Sequence, residues 1–301
     1  MKIVFSLLLC LALGIASPAL ASGRELVASV FPVWLLLRQV ARDVPGTSVG
    51  LLLPAGTGCP HDYSMTPQDR LALARADVLV INGLGLESFL GEPAKMSQLM
   101  KDDAVIIDIS SRVDNLLPAD DDGHEGHGHD KNPHIFASPA MMARMAESLA
   151  EQLAEKDPEH ASIYQANAKR VQTPLLNLAD DYASLGRSIS GRGIAVQHNV
   201  FSYLARDTGL TVDAVVQPHE GQEPSAREML DLVRVMRDKK TAVVVTEPQY
   251  PARTGRTLAA EAGIPCISLD PVAGGPADAP ADYYQTTMRE NLRVLENALG
   301  K

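Results

Sequence analysis

The stretch "SVGLLLPAGTGCPHDYSMTPQDRLALARADVLVING", from Ser48 to Gly83, contains one complete unit of the fold. Its two ends, "SVGLLLP" and "DVLVING", are short, almost continuously apolar and bounded by turn-forming residues, which is typical of buried strands. Between them, "TPQDRLALARA" has Thr66 to cap a helix and Pro67 at the first helical position. Strand, helix and strand in this order predict a parallel sheet covered by helices.

The same alternation fills two separate halves of the chain. The first half adds "ELVASVF" (Glu25 to Phe31) and "AVIIDIS" (Ala104 to Ser110). The second half contains four such segments: "GIAVQHN" (193–199), "TVDAVVQ" (211–217), "TAVVVTE" (241–247) and "IPCISLD" (264–270). We therefore expect an α/β protein with two four-stranded parallel α/β lobes.

Two helical segments follow each other between the halves without a strand. The second, from about Pro158 to Leu185, has apolar residues at alternating steps of four and three, which predicts one face of a long connecting helix. Pro174 lies inside it and removes one backbone hydrogen bond, so we expect a kink there or a break into two helices.

The predicted organisation begins with an export signal. "MKIVFSLLLCLALGIASPALAS" has Lys2 before an apolar stretch and a small-x-small cleavage signal, so residues 1–21 are interpreted as a signal peptide. The remaining segments are a first lobe at 22–157, a connecting helix at 158–190 and a second lobe at 191–301. No later run approaches the roughly 18 to 20 apolar residues that span a bilayer. We expect a soluble, monomeric, periplasmic protein.

Charge and cysteine content exclude several classes of function. The chain has 37 acidic and 27 basic residues, a balance that argues against nucleic acid and anionic lipid as partners. Only Cys59 and Cys266 lie outside the signal peptide, so this is no disulfide-built scaffold. A bridge between them is not expected, because Cys266 begins the strand that Asp270 ends, roughly 13 Å from the rim that Cys59 approaches.

Polar residues cluster at the predicted carboxyl ends of the strands, where ligands of parallel α/β sheets bind. They are His61, His134, His198, Glu247 and Asp270. A single such residue is more often a cap or a hydrogen-bonded core residue. As a set, three neutral imidazoles and a carboxylate suit zinc, and a site drawn from both lobes would lie in the cleft between them. Copper would compete in vitro.

These residues stand in motifs that carry a family resemblance. The motifs are, in order, "LLPAGTGCPHDYSMTPQDRLALARADVLVINGLGLESFL", "NPHIFASP", "AVQHNVFSYLARDTGL", "QEPSAREMLDLVRVMRD", "VVVTEPQY" and "ISLDPV". From about Glu25 to Leu299 the chain resembles the zinc- and manganese-binding solute-binding proteins of bacterial ABC importers, the ZnuA type. The resemblance implies a rigid two-lobed fold with a long connecting helix. It also implies one metal in the cleft, held by His61, His134, His198 and Asp270.

Several positions refine this resemblance. Glu247 is expected either to accept a hydrogen bond from a metal-binding histidine or to cap the next helix. His198 stands where manganese-type relatives carry a glutamate, which favours zinc. Asn132 and Phe136 stand where the family tends to have an aspartate and a tryptophan. Cys59 is either a small apolar filler or an auxiliary soft ligand.

A polar, low-complexity loop at residues 118–132 contains "DDDGHEGHGHD". Its composition cannot pack a core. Its histidines, His124, His127 and His129, predict a low-affinity segment that collects metal, rather than a plain solvated loop. His160 and His219 are expected to be surface residues.

The predicted function is therefore a high-affinity periplasmic receptor that captures Zn(II) and delivers it to the membrane permease of an ABC importer. A manganese or iron receptor of the same type is the alternative. A zinc hydrolase would need an open water position and a general base, for which Glu247 could be cast, but no His-Glu-x-x-His motif is present. An adhesion or structural protein would leave the histidines at the strand ends unexplained. We expect no enzymatic activity.

Overall fold

The computed structural model describes residues 23–58, 60, 63–91, 93–119, 131–217 and 223–300. Its first sheet is parallel, with spatial order β2-β1-β3-β4. The strands are β1 (Arg24–Ala28), β2 (Thr47–Leu51), β3 (Val78–Ile81) and β4 (Val105–Asp108). β3 and β4 lie within the predicted segments, and β1 and β2 each begin one residue before theirs, at Arg24 and Thr47.

The second sheet repeats this layout, with spatial order β6-β5-β7-β8, and is again parallel. Its strands are β5 (Gly193–Val196), β6 (Thr211–Val215), β7 (Val243–Thr246) and β8 (Cys266–Ser268). The prediction of two four-stranded parallel sheets is confirmed.

Helices connect the strands and cover the sheets. They are α1 (Phe31–Val40), α2 (Pro67–Arg75), α3 (Pro93–Ser97), α4 (Pro139–Lys156), α5 (Ala161–Ile189), α6 (Ser202–Asp207), α7 (Ala226–Asp238), α8 (Arg253–Ala262) and α9 (Tyr283–Leu299). Phe31 was predicted to end a strand, but it begins α1, because Pro32 fixes a backbone angle suited to the first helical turn. No helix of the described ranges is long and apolar enough to cross a membrane. The predicted signal peptide lies outside those ranges.

Helix α2 begins at Pro67 with Thr66 as its cap, as the sequence predicts, and the structure shows that the cap is a capping box. The Asp69 backbone N–H donates to Thr66 Oγ1 over 3.3 Å, and the Thr66 N–H donates to Asp69 Oδ2 over 2.7 Å. The Tyr63 hydroxyl also donates to Asp69 Oδ2, over 2.7 Å. A cap of this kind is worth about 1 kcal/mol. It anchors the chain at the point where the loop after β2 enters the helix.

The long connecting helix is α5, which is preceded by a 3-10 turn at Pro158–His160. At about 1.5 Å per residue it is roughly 40 Å long. It continues through Pro174, so the alternative of a break into two helices is wrong. Val171, Leu175 and Leu178 on either side are buried in the core, and their burial outweighs the loss of one backbone hydrogen bond.

One hydrophobic core runs from the first lobe through α4 and α5 into the second. Its buried members include Leu79 of β3, Leu175 of α5 and Val245 of β7. The Tyr284 hydroxyl of α9 also donates to the Phe136 carbonyl over 2.8 Å. Because the two sheets share a close-packed core, relative movement of the lobes is resisted.

Candidate metal-binding site

His198 and Glu247 lie side by side at the carboxyl ends of neighbouring strands. Val196 at the end of β5 pairs with Val245 of β7, so the residues two positions further along meet at the same height. His198 Nδ1 is 2.9 Å from Glu247 Oε1. Both side chains are buried, with 10% and 3% of their surface exposed. Register alone therefore places an imidazole against a carboxylate here.

The contact fixes the tautomer of His198. A carboxylate accepts hydrogen bonds, so the neutral ring carries its proton on Nδ1 and keeps the lone pair of Nε2. This is the form in which histidine binds a metal, with its second nitrogen held by an acceptor. The Tyr250 ring packs against the imidazole at 4.4 Å between centroids and 60°, which limits rotation of the ring.

His134 is held in a similar way in the first lobe. It precedes a 3-10 turn at Ile135–Ala137, and the Ser138 side chain then caps α4. Asn132 Oδ1 accepts the His134 backbone N–H over 2.9 Å and lies 3.1 Å from His134 Nδ1. Asn132 is buried. The amide oxygen thus favours a proton on Nδ1 and a lone pair on Nε2.

Asp270 follows β8 by two residues and is held by α9. Its backbone N–H donates to Asn291 Oδ1 over 2.9 Å, and its carbonyl accepts from Asn291 Nδ2 over 2.7 Å. Burial raises the pKa of the Asp270 carboxyl, and hydrogen bonds from the Val272 N–H and the Gln249 amide offset part of this rise. A cation that compensates the desolvated charge would be favoured at this position.

The loops that carry these residues meet between the lobes. The Tyr203 hydroxyl of α6 donates to the Asn132 carbonyl over 2.8 Å, and Asn132 Nδ2 is 3.4 Å from the Asn199 carbonyl. The second contact joins the segment before His134 to the segment after His198. The structure therefore brings one candidate ligand of the first lobe next to a candidate ligand loop of the second.

The loop after β2 also reaches the second lobe. The Gly275 N–H donates to the Ala55 carbonyl over 2.8 Å. Gly58 lies beside Gln249 and Tyr250, which would be 3.8 to 3.9 Å from a Cβ added at this glycine. The chain that leads into His61 is thus packed against the loop after β7. His61 itself, like Cys59, falls outside the described residues.

Within the parts of the chain that the structure describes, no group of three or more His, Cys, Asp or Glu side chains is close enough to hold a metal ion. His134, His198 and Asp270 are consequently on neighbouring loops without forming a ready-made cluster. The loop histidines His124, His127 and His129, and His219, lie outside the described residues. His160 is half-buried, with Nδ1 2.9 Å from Asp157 Oδ2 at the start of α5, and takes no part in the site.

Two contacts at the site were not predicted from the sequence. Asn132 was noted only for its difference from the family pattern, yet its side chain holds His134. Gln249 was quoted in "VVVTEPQY" without a role, and its Nε2 donates to Asp270 Oδ1 over 2.8 Å. Only their location could have indicated these roles, because Asn132 and Gln249 both lie in loops that also carry candidate ligands.

The family described as "Zinc-uptake complex component A periplasmic" (ZnuA) matches residues 26–298. The chain is 25% identical over 284 residues to the high-affinity zinc uptake system protein ZnuA of Bacillus subtilis (strain 168), covering 91% of this chain and 87% of that one. It is 28% identical over 286 residues to the zinc-binding lipoprotein AdcA of Streptococcus pneumoniae (strain ATCC BAA-255 / R6). That alignment covers 92% of this chain but spans only 56% of AdcA.

A solved structure agrees with these sequences. The SBP FpvC from Pseudomonas aeruginosa, in complex with Mn²⁺, superposes with a TM-score of 0.79 at 26% identity and covers 92% of this chain and 98% of that one. The match of the family extends from β1 to the last turn of α9, with the loops of His134, His198 and Asp270 inside it. The chain therefore belongs to the ZnuA family, zinc-uptake complex component A.

Proposed function

We propose that this protein is a periplasmic receptor that binds one Zn(II) tightly and delivers it to the membrane permease of an ABC importer. The observation that carries the proposal is the buried pair of His198 and Glu247, 2.9 Å apart. A carboxylate that holds one nitrogen of a buried imidazole leaves the other nitrogen for a metal and raises its basicity. Membership of the ZnuA family and the zinc-uptake relatives support the same function.

The proposed ligands are His61, His134, His198 and Asp270. Three imidazoles and one carboxylate oxygen complete the tetrahedral shell that zinc prefers. They come from four different loops, two in each lobe, so the metal would lie in the cleft. Because no described trio is already close enough to hold a metal, His134, His198 and Asp270 would have to approach one another on binding.

The alternative is a manganese or iron receptor of the same type, and the donor set favours zinc over manganese. The complex of FpvC with Mn²⁺ shows that a member of this structural group is seen with another metal. Manganese suits carboxylate, carbonyl and water ligands, whereas imidazole suits zinc. With His198 in the shell and Glu247 bound to it, a single carboxylate faces the metal.

A hydrolytic function is disfavoured by the same arrangement. A catalytic zinc site keeps one position open for water, and in this proposal Asp270 fills that position. Glu247 is 3% exposed and bound to His198, so it is not available as a general base. An adhesion or structural role would not explain why His198 and Glu247 are buried together.

The segment with His124, His127 and His129 is proposed to collect metal at lower affinity before transfer to the cleft. Its two ends are tied together by the antiparallel bridge between Pro118 and Lys131. The Tyr203 hydroxyl also accepts the Leu117 N–H over 3.1 Å. Metal collected by this segment would be released close to the loop that carries His134.

The experiment is a titration of metal-stripped protein, residues 22–301, with zinc against a colorimetric chelator. We expect one tight, reversible zinc ion per chain and protein recovered unchanged after zinc removal. Membrane vesicles that contain the permease should import zinc only when the loaded receptor is added. Absence of tight binding, or turnover of ester or peptide substrates by the zinc form, would refute the proposal.

A further inference from the structure

The two carboxylate oxygens of Asp270 have different surroundings. Oδ1 accepts two hydrogen bonds, one from Gln249 Nε2 and one from the Val272 backbone N–H, each 2.8 Å long. Among the described residues, Gln249 and Val272 are the donors to this carboxylate, and both contact Oδ1. A carboxylate oxygen that already accepts two hydrogen bonds has little lone-pair density left for a metal. Oδ2 is therefore the oxygen that remains to bind the metal ion.

The main chain of Asp270 is held in place, which hinders a rotation of the carboxylate that would exchange Oδ1 and Oδ2. The Asn291 side chain of α9 forms two hydrogen bonds with it. Asn291 Oδ1 accepts from the Asp270 N–H over 2.9 Å, and Asn291 Nδ2 donates to the Asp270 carbonyl over 2.7 Å. Val272, which supplies one of the two donors, has a φ of 62°, an uncommon backbone conformation for a β-branched residue. The orientation of the carboxylate is consequently fixed from three directions.

Gln249 is itself held in the loop between β7 and α8. Gly58 from the first lobe packs beside its Cβ and Cγ, and the next residue, Tyr250, packs on the His198 ring. Among the residues that the structure describes, none forms a hydrogen bond with its buried Oε1. Turning the amide over would place two oxygens against each other, so the contact with Asp270 decides which way the amide points.

We propose that Gln249 is a positioning residue that restricts Asp270 to one metal-binding oxygen, and that this restriction favours zinc over manganese. The inference rests on the proposed zinc-receptor function. One carboxylate oxygen and three imidazole nitrogens give four ligands, which is the coordination number of zinc in closed protein sites. A carboxylate free to bind through both oxygens adds a fifth ligand and an oxygen-rich edge, which suits manganese.

The test compares Gln249→Met with the wild type. Methionine keeps the length and volume of the side chain beside Gly58 but cannot donate to Asp270. Gln172→Met is the matched control, because the half-buried Gln172 donates to the Ala143 carbonyl between α4 and α5, away from the site. Zinc and manganese affinities are measured by chelator competition, and the zinc coordination number is measured by X-ray absorption.

We expect the ratio of zinc to manganese affinity to fall about tenfold or more in Gln249→Met, within the range seen for residues that orient ligands. The coordination number of bound zinc should rise from four. In an Asp270→Ala background the same change should have no further effect, because Gln249 acts through Asp270. The control should behave like the wild type.

Equal loss of affinity for both metals with an unchanged coordination number would show a merely structural role and overturn the inference. So would an unchanged affinity ratio. If Gln249→Met does not fold, Gln249→Leu provides the same loss of the donor. Absence of tight zinc binding by the wild type would instead contradict the proposed function, so the two failures are distinguishable.

Discussion

Glu247 Oε1 lies 2.9 Å from His198 Nδ1, at the point where the parallel strands β7 and β5 both end. The pair is 49 residues apart in the chain and is brought together by the register of two central strands. Removing the acceptor should free the ring to rotate and lower the basicity of Nε2. We predict that Glu247→Ala lowers zinc affinity about 10- to 100-fold.

Glu247→Gln is the matched variant for this prediction. Its amide oxygen can still accept from Nδ1, so affinity should fall less than in Glu247→Ala. Both affinities are measured by chelator competition at neutral pH, with circular dichroism as the check of folding. Wild-type affinity in Glu247→Ala would show that the contact does not orient a metal ligand.

Zinc affinity should decrease steeply on mild acidification. Ligand imidazoles must be neutral to bind a metal, and an ordinary histidine titrates near 6.5. Burial also raises the pKa of the Asp270 carboxyl, so protonation of this ligand competes with zinc at a higher pH than for an exposed aspartate. Competition titrations from pH 7.5 to 5.5 measure this effect. A flat affinity over this interval would contradict a shell with three histidines.

Glu87 should make the metal-free protein less stable as pH rises. Its carboxylate accepts from the Ser29 hydroxyl, the Asn82 N–H and the Gly83 N–H. Burial raises its pKa to about 7 from an ordinary 4.5, although these hydrogen bonds lower it in part. At pH values between 4.5 and about 7, the folded protein thus retains a proton on Glu87 that the unfolded chain has released.

The sign of the effect follows from this difference in protons. The stabilisation by protonated Glu87 is complete below pH 4.5 and is lost as pH rises towards 7. We expect a loss of about 1 to 3 kcal/mol in unfolding free energy. Urea denaturation with a metal chelator present, from pH 5 to 8, measures it. Glu87→Gln cannot titrate, and parallel pH profiles of the two proteins would refute the prediction.

Deleting residues 120–130 should leave the tight site within a few-fold of its original affinity. The Pro118–Lys131 bridge and the Tyr203 hydroxyl hold the two ends of this segment together, so a short glycine-containing turn can close the gap. An ion held by the segment must order its chain at about 1 to 2 kcal/mol per residue. Calorimetry should therefore show that only additional, weak zinc binding disappears.

Stopped-flow transfer from chelated zinc should also be slower in this deletion variant. Loss of the tight site together with the segment would show that His134 depends on it. Such a dependence would act through Asn132, which follows the segment and holds His134 through its side-chain oxygen.

The fold could be predicted because its signals are local. Each strand is a short apolar run such as "DVLVING", and Thr66 with Asp69 marks a helix start within four residues. The end of the first strand was misjudged because "ASVF" is as apolar as the strand itself, and only Pro32 marks the helix. The continuity of α5 through Pro174 depends on burial, which propensity does not encode.

The candidate site residues could be named from the sequence, whereas most of their contacts could not. His198 and Glu247 are recognisable as polar residues at strand ends, yet their contact follows from the β5–β7 register. The role of Gln249 requires the position of Asp270, which α9 fixes through Asn291. Such contacts join residues from separate elements, and no local pattern in the sequence specifies them.

The central claim is that one zinc ion binds through imidazoles of both lobes. The most direct measurement is a chelator-competition titration of His134→Ala and His198→Ala, one variant from each lobe. His160→Ala is the control, because it removes an imidazole bound to Asp157 at the start of α5. We predict one tight zinc per wild-type and His160→Ala chain, and affinities lower by orders of magnitude in both site variants while the fold survives. Wild-type zinc affinity in both site variants would contradict the account.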